Sequence, residues 1–243
     1  MRHFEGAKMR TIIYGDIHGC LEELKTLRKE LDITADDTEI LVGDILDRGP
    51  FSNEVLTYVR EEKLRLVLGN HEYKYIRYKK HDELSKSTGK KNPMYFNESK
   101  LFIYENTSQE NMAYLEAAPF FIKIDNTTIV HAGITNKIDL DNADKKDLES
   151  LLRIRTLDEN QKTLPLGRST WNSRFWSEWY DGNQGIMVYG HEAFDKVKID
   201  KYSFGIDTGC VYGNKLTALV VYDTKEPMLN YDIVQVSALK EYA

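Results

Sequence analysis

The chain has 243 residues, of which 41% are hydrophobic and 30% charged, so it can build a core and stay in solution. Its formal net charge of −6 argues against a general nucleic-acid binder, which usually presents a basic face. The only two cysteines, Cys20 and Cys210, exclude a disulfide framework and a zinc-finger spacing, and they favour a reducing, cytoplasmic setting.

Membrane and domain expectations follow from the distribution of apolar residues. The N-terminus lacks an apolar signal core, and no apolar run approaches the roughly 18 residues of a membrane helix. We therefore expect no membrane partner. Because no segment has the composition of a linker, we predict a single domain over residues 1–243, with insertions near 74–118 and 137–165.

Five short β-rich runs each end in glycine and a polar residue: "TIIYGDIHG", "EILVGDILDRG", "LRLVLGNHE", "TTIVHAG" and "IMVYGHE". Helical patterns separate the first three runs. One pattern places leucines at spacings of three and four from Leu21 to Leu31, and the next begins at the Ser52–Asn53 cap. This alternation predicts an α/β fold with βαβ units and a partly parallel sheet.

The C-terminal third has a different pattern. The stretch "SFGIDTGCVYGNKLTALVVYD" predicts a strand, a Gly-Asn turn and a second strand, and "MLNYDIVQVS" predicts a third. We expect these strands to be antiparallel.

Polar residues at the ends of the five runs form a candidate metal site, because ligands bind outside the carboxyl ends of strands in such sheets. Carboxylate, amide and imidazole donors together suit manganese, iron or zinc better than calcium. If Asp44 bridges, the set can hold two ions ~3.5–4 Å apart, which clamp a phosphoryl group and acidify a water. The candidate ligands are Asp16, His18, Asp44, Asn70, His131 and His191.

Neighbouring residues offer the remaining chemistry of phosphoester hydrolysis. His71 is a candidate general acid, and Asp47 can hold its imidazole through the other ring nitrogen. Arg48 can bind a phosphate in a forked contact. Any one motif alone is more often a turn or a structural histidine, but five together favour a site. Only His3 and His81 lie outside these motifs.

The motifs "GDIHG", "GDILDRG", "GNHE", "HAG" and "GH", in this order, resemble the phosphoprotein phosphatase family of calcineurin-like metallophosphoesterases. The resemblance implies a β-sandwich with mixed sheets flanked by helices and a dinuclear centre that activates water for in-line attack on phosphorus. It implies two divalent ions, with manganese expected and iron, zinc, nickel or cobalt as alternatives. The first ion would be bound by Asp16, His18 and Asp44, the second by Asp44, Asn70, His131 and His191, with His71 and Asp47 as the acid pair.

The tail "IDTGCVYGNKLTAL" is similar to the bacterial branch that holds symmetrical diadenosine tetraphosphate hydrolases. Hydrolysis of a dinucleoside tetraphosphate is therefore the leading function, and a serine/threonine protein phosphatase acting on phosphoproteins is the alternative. A non-catalytic binding scaffold is less favoured, because all six ligands and the acid pair are present. Glu192, after the last "GH", replaces the common threonine.

Family members use a second arginine between the last two histidines to bind phosphate, together with Arg48 and Asn70. Arg155 in "RIRTLDEN" is the first choice and Arg174 the alternative, although either can be an ordinary surface arginine.

Two further segments have open interpretations. Trp171, Phe175 and Trp179 are spaced as one helical stripe, which either packs on the core or forms an aromatic wall for a nucleobase. The basic run over residues 72–91 is either a solvated helix face or a surface that steers a polyanionic substrate.

Overall fold

The computed structural model of the protein describes residues 10–225 and 229–243. The strands are β1 (Thr11–Tyr14), β2 (Thr38–Leu41), β3 (Arg65–Leu66), β4 (Phe121–Ile124), β5 (Thr127–Val130), β6 (Thr156–Leu157), β7 (Arg174–Phe175), β8 (Ile186–Tyr189), β9 (Lys198–Asp200), β10 (Ser203–Gly205), β11 (Lys215–Asp223) and β12 (Asn230–Ser237). The helices are α1 (Leu21–Glu30), α2 (Ser52–Glu61), α3 (Asn70–Thr88), α4 (Glu98–Glu105), α5 (Gln109–Ala117), α6 (Lys145–Ser150) and α7 (Trp176–Trp179).

The first sheet has the strand order β12-β11-β1-β2-β3. Strands β1, β2 and β3 are parallel and are joined by α1 and α2, as the alternation of patterns predicts. Strand β11 pairs antiparallel with both β1 and β12, so the sheet is mixed. The predicted last strand is confirmed as β12, although the first residue of its sequence run, at 228, lies outside the described residues.

The second sheet has the order β4-β5-β8-β10-β9 and is also mixed. The expected antiparallel pairing across the Gly-Asn turn is wrong for β10 and β11, which lie in different sheets. The reason is that both edges of each strand are already paired: β10 lies between β8 and β9, and β11 lies between β1 and β12. The intervening chain therefore crosses from one sheet to the other.

Apolar side chains from both sheets meet in one layer, which makes the fold a β-sandwich. Ile13 and Leu219 of the first sheet belong to the same buried cluster as Ile129, Val188 and Phe204 of the second. The opposite face of the first sheet is covered by helices, whose leucines and valines pack on β1 and β11. The expected α/β sandwich flanked by helices is confirmed.

The two predicted insertions contain helices. Residues 74–118 contain most of α3 together with α4 and α5, and residues 137–165 contain α6 and β6. That they are insertions in a single domain stays a prediction. Among the residues that the structure describes, no helix is both long and apolar enough to cross a bilayer.

The predicted helical stripe of aromatic residues is wrong. Phe175 lies in β7, which pairs with β6, so the chain is extended where the stripe requires a helix. Trp171 is 93% exposed, whereas Trp176, which lies outside the stripe, is completely buried. The spacing of these aromatic residues wrongly predicted a helix, because pairing with a distant strand competes with local helix formation.

Candidate metal centre and phosphate site

The polar motifs meet at one end of the sandwich, where strands of both sheets finish. Asp44 follows β2 of the first sheet, whereas His131 and His191 follow β5 and β8 of the second. His131 Nε2 lies 3.0 Å from Asn70 Oδ1, 3.1 Å from His191 Nδ1 and 3.4 Å from Asp44 Oδ1. The two sheets thus supply different parts of one cluster.

The other half of the cluster comes from the loop after β1. His18 Nε2 lies 3.7 Å from Asp44 Oδ2 and 3.9 Å from Asp16 Oδ2. The backbone N–H of His191 donates to the Asp16 carboxylate, at 3.1 Å from Oδ2. All six candidate ligands therefore come together, with Asp44 between the two halves.

Hydrogen bonds fix how two of the histidines point. Nδ1 of His18 lies 2.8 Å from the Leu46 carbonyl oxygen, and Nδ1 of His131 lies 3.0 Å from that of Val42. Because a carbonyl only accepts, each Nδ1 carries a proton and each Nε2 faces the cluster. Burial lowers the pKa of His18 to about 4, so this imidazole is neutral at pH 7.

His191 has a buried ring nitrogen that a metal ion could bind. Its Nε2 is buried and has no hydrogen-bond partner in the part of the chain that the structure describes. Burial lowers the pKa of His191 to about 2, which leaves the ring neutral. A buried polar atom without a partner is costly, and a cation would satisfy it.

Buried carboxylates add negative charge to the same place. Asp16, Asp44 and Asp207 are at most 6% exposed. Burial, followed by the charges of Asp207 and Asp44, raises the pKa of Asp16 well above its ordinary value. Burial would raise the pKa of Asp44 too, but the neighbouring histidines outweigh it and hold that pKa low.

The donor set fits divalent cations. The ligand atoms of His18, Asp44 and His71 lie within 4.8 Å of one another, and so do those of Asp44, His131 and His191. Asp44 belongs to both groups, as a bridging carboxylate would. Carboxylate, amide and imidazole groups converge here, and such oxygen and nitrogen ligands suit borderline divalent metals.

A carboxylate–histidine pair adjoins the cluster. Asp47 Oδ2 lies 2.5 Å from His71 Nδ1, while His71 Nε2 lies 3.8 Å from Asp44 Oδ2. The Asp47 carboxylate also accepts from Tyr75 Oη at 2.5 Å and from Lys100 Nζ. Burial would raise the pKa of Asp47, but the hydrogen bonds from these three side chains hold it well below its ordinary value.

Sequence reasoning missed both extra partners of Asp47. Tyr75 lies four residues after His71 on α3, so its helical spacing carried a usable signal. Lys100 comes from α4, within the insertion, and no sequence pattern places it near the site.

The predicted arginines make separate contacts. Arg48 is hydrogen-bonded to Tyr212 Oη and stacks over that ring at 5.3 Å. Arg155 lines a cleft with Asn70 and His191, and its Nε lies 2.5 Å from Glu192 Oε2. The alternative, Arg174, instead packs over the Trp179 ring.

Glu72, the last residue of "GNHE", was also missed. Its carboxylate is completely buried and accepts three backbone N–H groups, from Asp44 at 2.8 Å, Ile45 at 3.0 Å and Leu46 at 3.1 Å. These bonds fix the loop that carries Asp44 and Asp47. The pattern gave little warning, because an acidic residue in the first turn of a helix usually serves the helix itself.

Backbone strain is concentrated in the same loops. His18, Asp44, Asp47, Arg48 and His191 all have positive φ angles, between 45° and 70°. Such conformations cost of order 1–3 kcal/mol each in a residue other than glycine and persist only where surrounding contacts enforce them. The candidate site residues are therefore held in position by the fold.

Comparison with known proteins now identifies the class. The model of the calcineurin-like phosphoesterase family matches residues 9–224, and the chain belongs to this family. It is consequently a hydrolase, and the resemblance found in the motifs is confirmed.

Two relatives from bacteria cover nearly the whole chain. The chain is 31% identical over 233 residues to the asymmetrical bis(5'-nucleosyl)-tetraphosphatase PrpE of Oceanobacillus iheyensis, covering 86% of this chain and 88% of the relative. It is 28% identical over 262 residues to the symmetrical bis(5'-nucleosyl)-tetraphosphatase of Vibrio campbellii, covering 87% of this chain and 95% of the relative.

Solved structures agree on the fold. A crystal structure provisionally described as a diadenosine tetraphosphatase matches with a TM-score of 0.75 and 22% identity, covering 97% of this chain and 96% of that one. A protein serine/threonine phosphatase from Saccharomyces cerevisiae matches with a TM-score of 0.66 and 16% identity, covering 96% and 81%.

The Glu72 contacts generate a stability prediction. We expect Glu72→Ala to lower the free energy of unfolding by about 3–5 kcal/mol, because three buried N–H groups lose their acceptor. The measurement is chemical denaturation of the wild type and the variant. Glu61→Ala, an exposed change on α2, is the control and should shift stability by less than ~0.5 kcal/mol. Equal losses in the two variants would show that Glu72 does not support the loop.

Proposed function

We propose that the protein hydrolyses a dinucleoside tetraphosphate by in-line attack of water on one phosphorus. The convergence of six metal-ligand side chains and an acid pair at one end of the sandwich carries this proposal. It supports phosphoester hydrolysis, and the names of the bacterial relatives support the nucleotide substrate. We further propose that the chain acts as one domain over residues 1–243 in the cytoplasm.

The proposed ligand sets share Asp44. Asp16, His18 and Asp44 would hold one cation, and Asp44, Asn70, His131 and His191 a second, with manganese proposed and iron, zinc, nickel or cobalt as alternatives. When bound, these ions would supply Lewis-acid charge to the phosphoryl oxygens and acidify the attacking water. The unpartnered Nε2 of His191 supports this assignment.

His71 is the proposed general acid. Asp47 accepts the hydrogen bond from His71 Nδ1, which fixes the orientation of the ring. His71 Nε2 then faces the cluster and can donate its proton to the leaving oxygen. Arg48, Arg155 and Asn70 would bind the phosphoryl oxygens, and their positions around the cluster support this role.

Metal binding gives the first prediction from this proposal. After chelator treatment, added manganese should raise the unfolding temperature, since a ligand at 100 times its dissociation constant stabilises by roughly 2.7 kcal/mol per site. Asp44→Asn should lose most of this shift, because both sites share that carboxylate. The exposed Asp141→Asn should retain it. An unchanged shift in Asp44→Asn would contradict the bridging assignment.

The choice between a dinucleotide and a phosphopeptide substrate gives the second prediction. With manganese, kcat/KM for diadenosine tetraphosphate should exceed that for a phosphoserine peptide by about 100-fold or more, a margin of roughly 2.7 kcal/mol. Asp44→Asn should abolish both activities. Two ADP molecules would indicate symmetrical cleavage, and ATP with AMP asymmetrical cleavage. Preference for the peptide would make the chain a protein phosphatase with the same centre, and metal binding without turnover would favour a scaffold.

The contact between Lys100 and Asp47 gives the third prediction. Lys100→Met should lower kcat by about 10-fold while KM changes little, because a misplaced Asp47 orients His71 poorly. Lys100→Arg should restore part of the rate. Lys90→Met, an exposed change beyond the end of α3, is the control. A normal kcat in Lys100→Met would show that Asp47 needs only His71 and Tyr75.

A further inference from the structure

A cleft of about 480 Å³ opens beside the candidate metal centre. The candidate ligands Asn70 and His191 line it, together with Arg153 and Arg155. One wall is the segment 163–166, which includes two leucines and a proline. The cleft is thus continuous with the place where the reacting phosphoryl group would bind.

Two arginines, Arg153 and Arg155, bring positive charge to this cleft. Arg153 is exposed, and its side chain makes no hydrogen bond or ion pair with the described part of the chain. Glu149, the carboxylate one helical turn before it, is hydrogen-bonded to Tyr73 and paired with Lys145 at 3.8 Å. Arg153 is therefore available to bind an anion.

Lys74 is the second available cation. It lies four residues after Asn70 on α3, so both side chains are on the same face of the helix. Burial lowers the pKa of Lys74, the charges of Lys100 and Arg153 add to that shift, and the Asp47 and Asp44 carboxylates oppose it. No hydrogen bond or ion pair of the Lys74 ammonium group exists within residues 10–225 and 229–243.

Two other cations nearby are already paired. Lys100 contacts Asp47, and Arg155 contacts Glu192. Lys74 and Arg153 remain without a hydrogen bond or ion pair among the described residues, in a chain whose net charge is −6. One lies on the helix face of Asn70 and the other lines the cleft, so an anion in the cleft can contact both.

The wall of the cleft offers a different chemistry. Leu166 is 82% exposed and follows Leu164 and Pro165. An exposed apolar surface beside a cationic one suits a ligand with a charged chain and an apolar or aromatic end.

We propose that Lys74 and Arg153 bind the phosphates beyond the reacting one, which makes the cleft a subsite for a phosphate chain, and that the 163–166 wall contacts the nucleoside. The choice of nucleoside rests on the proposed function, whereas the recognition of the phosphate chain rests on the cations alone. The subsite favours substrates with several phosphates over simple monoesters.

The test compares a substrate with one phosphate to a substrate with four. In Lys74→Ala and Arg153→Ala, kcat/KM for diadenosine tetraphosphate should fall by about 10-fold or more, the usual effect of losing a charge-assisted hydrogen bond. For p-nitrophenyl phosphate it should change by less than ~2-fold, because that ester does not extend into the cleft. Lys80→Ala, an exposed change on the same helix, should leave both values unchanged.

A binding measurement separates this proposal from the proposed function. Inorganic tripolyphosphate, at fixed free manganese, should inhibit hydrolysis of p-nitrophenyl phosphate, and its inhibition constant should rise about 10-fold in each variant. This holds even if the wild type fails to cleave the tetraphosphate, an outcome that would reject only the nucleotide function. Lys74→Met and Arg153→Met replace any alanine variant whose unfolding temperature drops.

Two results would overturn the subsite. One is an equal loss on the monoester and the tetraphosphate, which would place the two cations at the reacting phosphate or in the support of the fold. The other is an unchanged inhibition constant for tripolyphosphate in both variants.

Discussion

The Glu72 carboxylate holds the loop on which the whole site depends. It lies at the start of α3 and accepts the N–H groups of three consecutive residues, from Asp44 to Leu46. A buried carboxylate is costly by itself, and three good hydrogen bonds offset that cost. Asp44 and Asp47 leave this loop with positive φ angles, which the chain would not adopt unaided. One interaction between a helix and a loop thus orients both Asp44, the proposed bridging ligand, and Asp47, the hydrogen-bond partner of His71.

The second requirement is a close approach of the two sheets at their ends. His191 donates its backbone N–H to Asp16, which joins the loop after β8 to the loop after β1. A Cβ at Gly190 would lie 2.0 Å from Asp16 Oδ1, so only glycine allows this contact. Packing in the core of the sandwich therefore sets the separation of the two ligand groups. The candidate metal centre therefore depends on the interface between the sheets.

Segments outside the sandwich adapt this shared centre. Helix α4 supplies Lys100 to the Asp47 carboxylate, and the segment before α7 supplies a wall of the cleft. Glu192 replaces the threonine common at its position and pairs with Arg155, so the departure from the family pattern is tied to an arginine that lines the cleft. A centre shared by a family serves the phosphoryl group, and the contacts around it differ between members and set which substrates fit.

The sequence by itself determined the α/β class, the parallel strands β1 to β3 and the convergence of the candidate ligands. Each of these follows from local patterns, because strand ends with glycine and a polar residue recur and parallel strands share one edge. Only the tertiary structure decided that β10 and β11 lie in different sheets, that Trp171 is exposed, and that Glu72, Lys100 and Arg153 surround the site. These features depend on pairings between segments far apart in the chain, and such contacts leave no periodicity in the sequence.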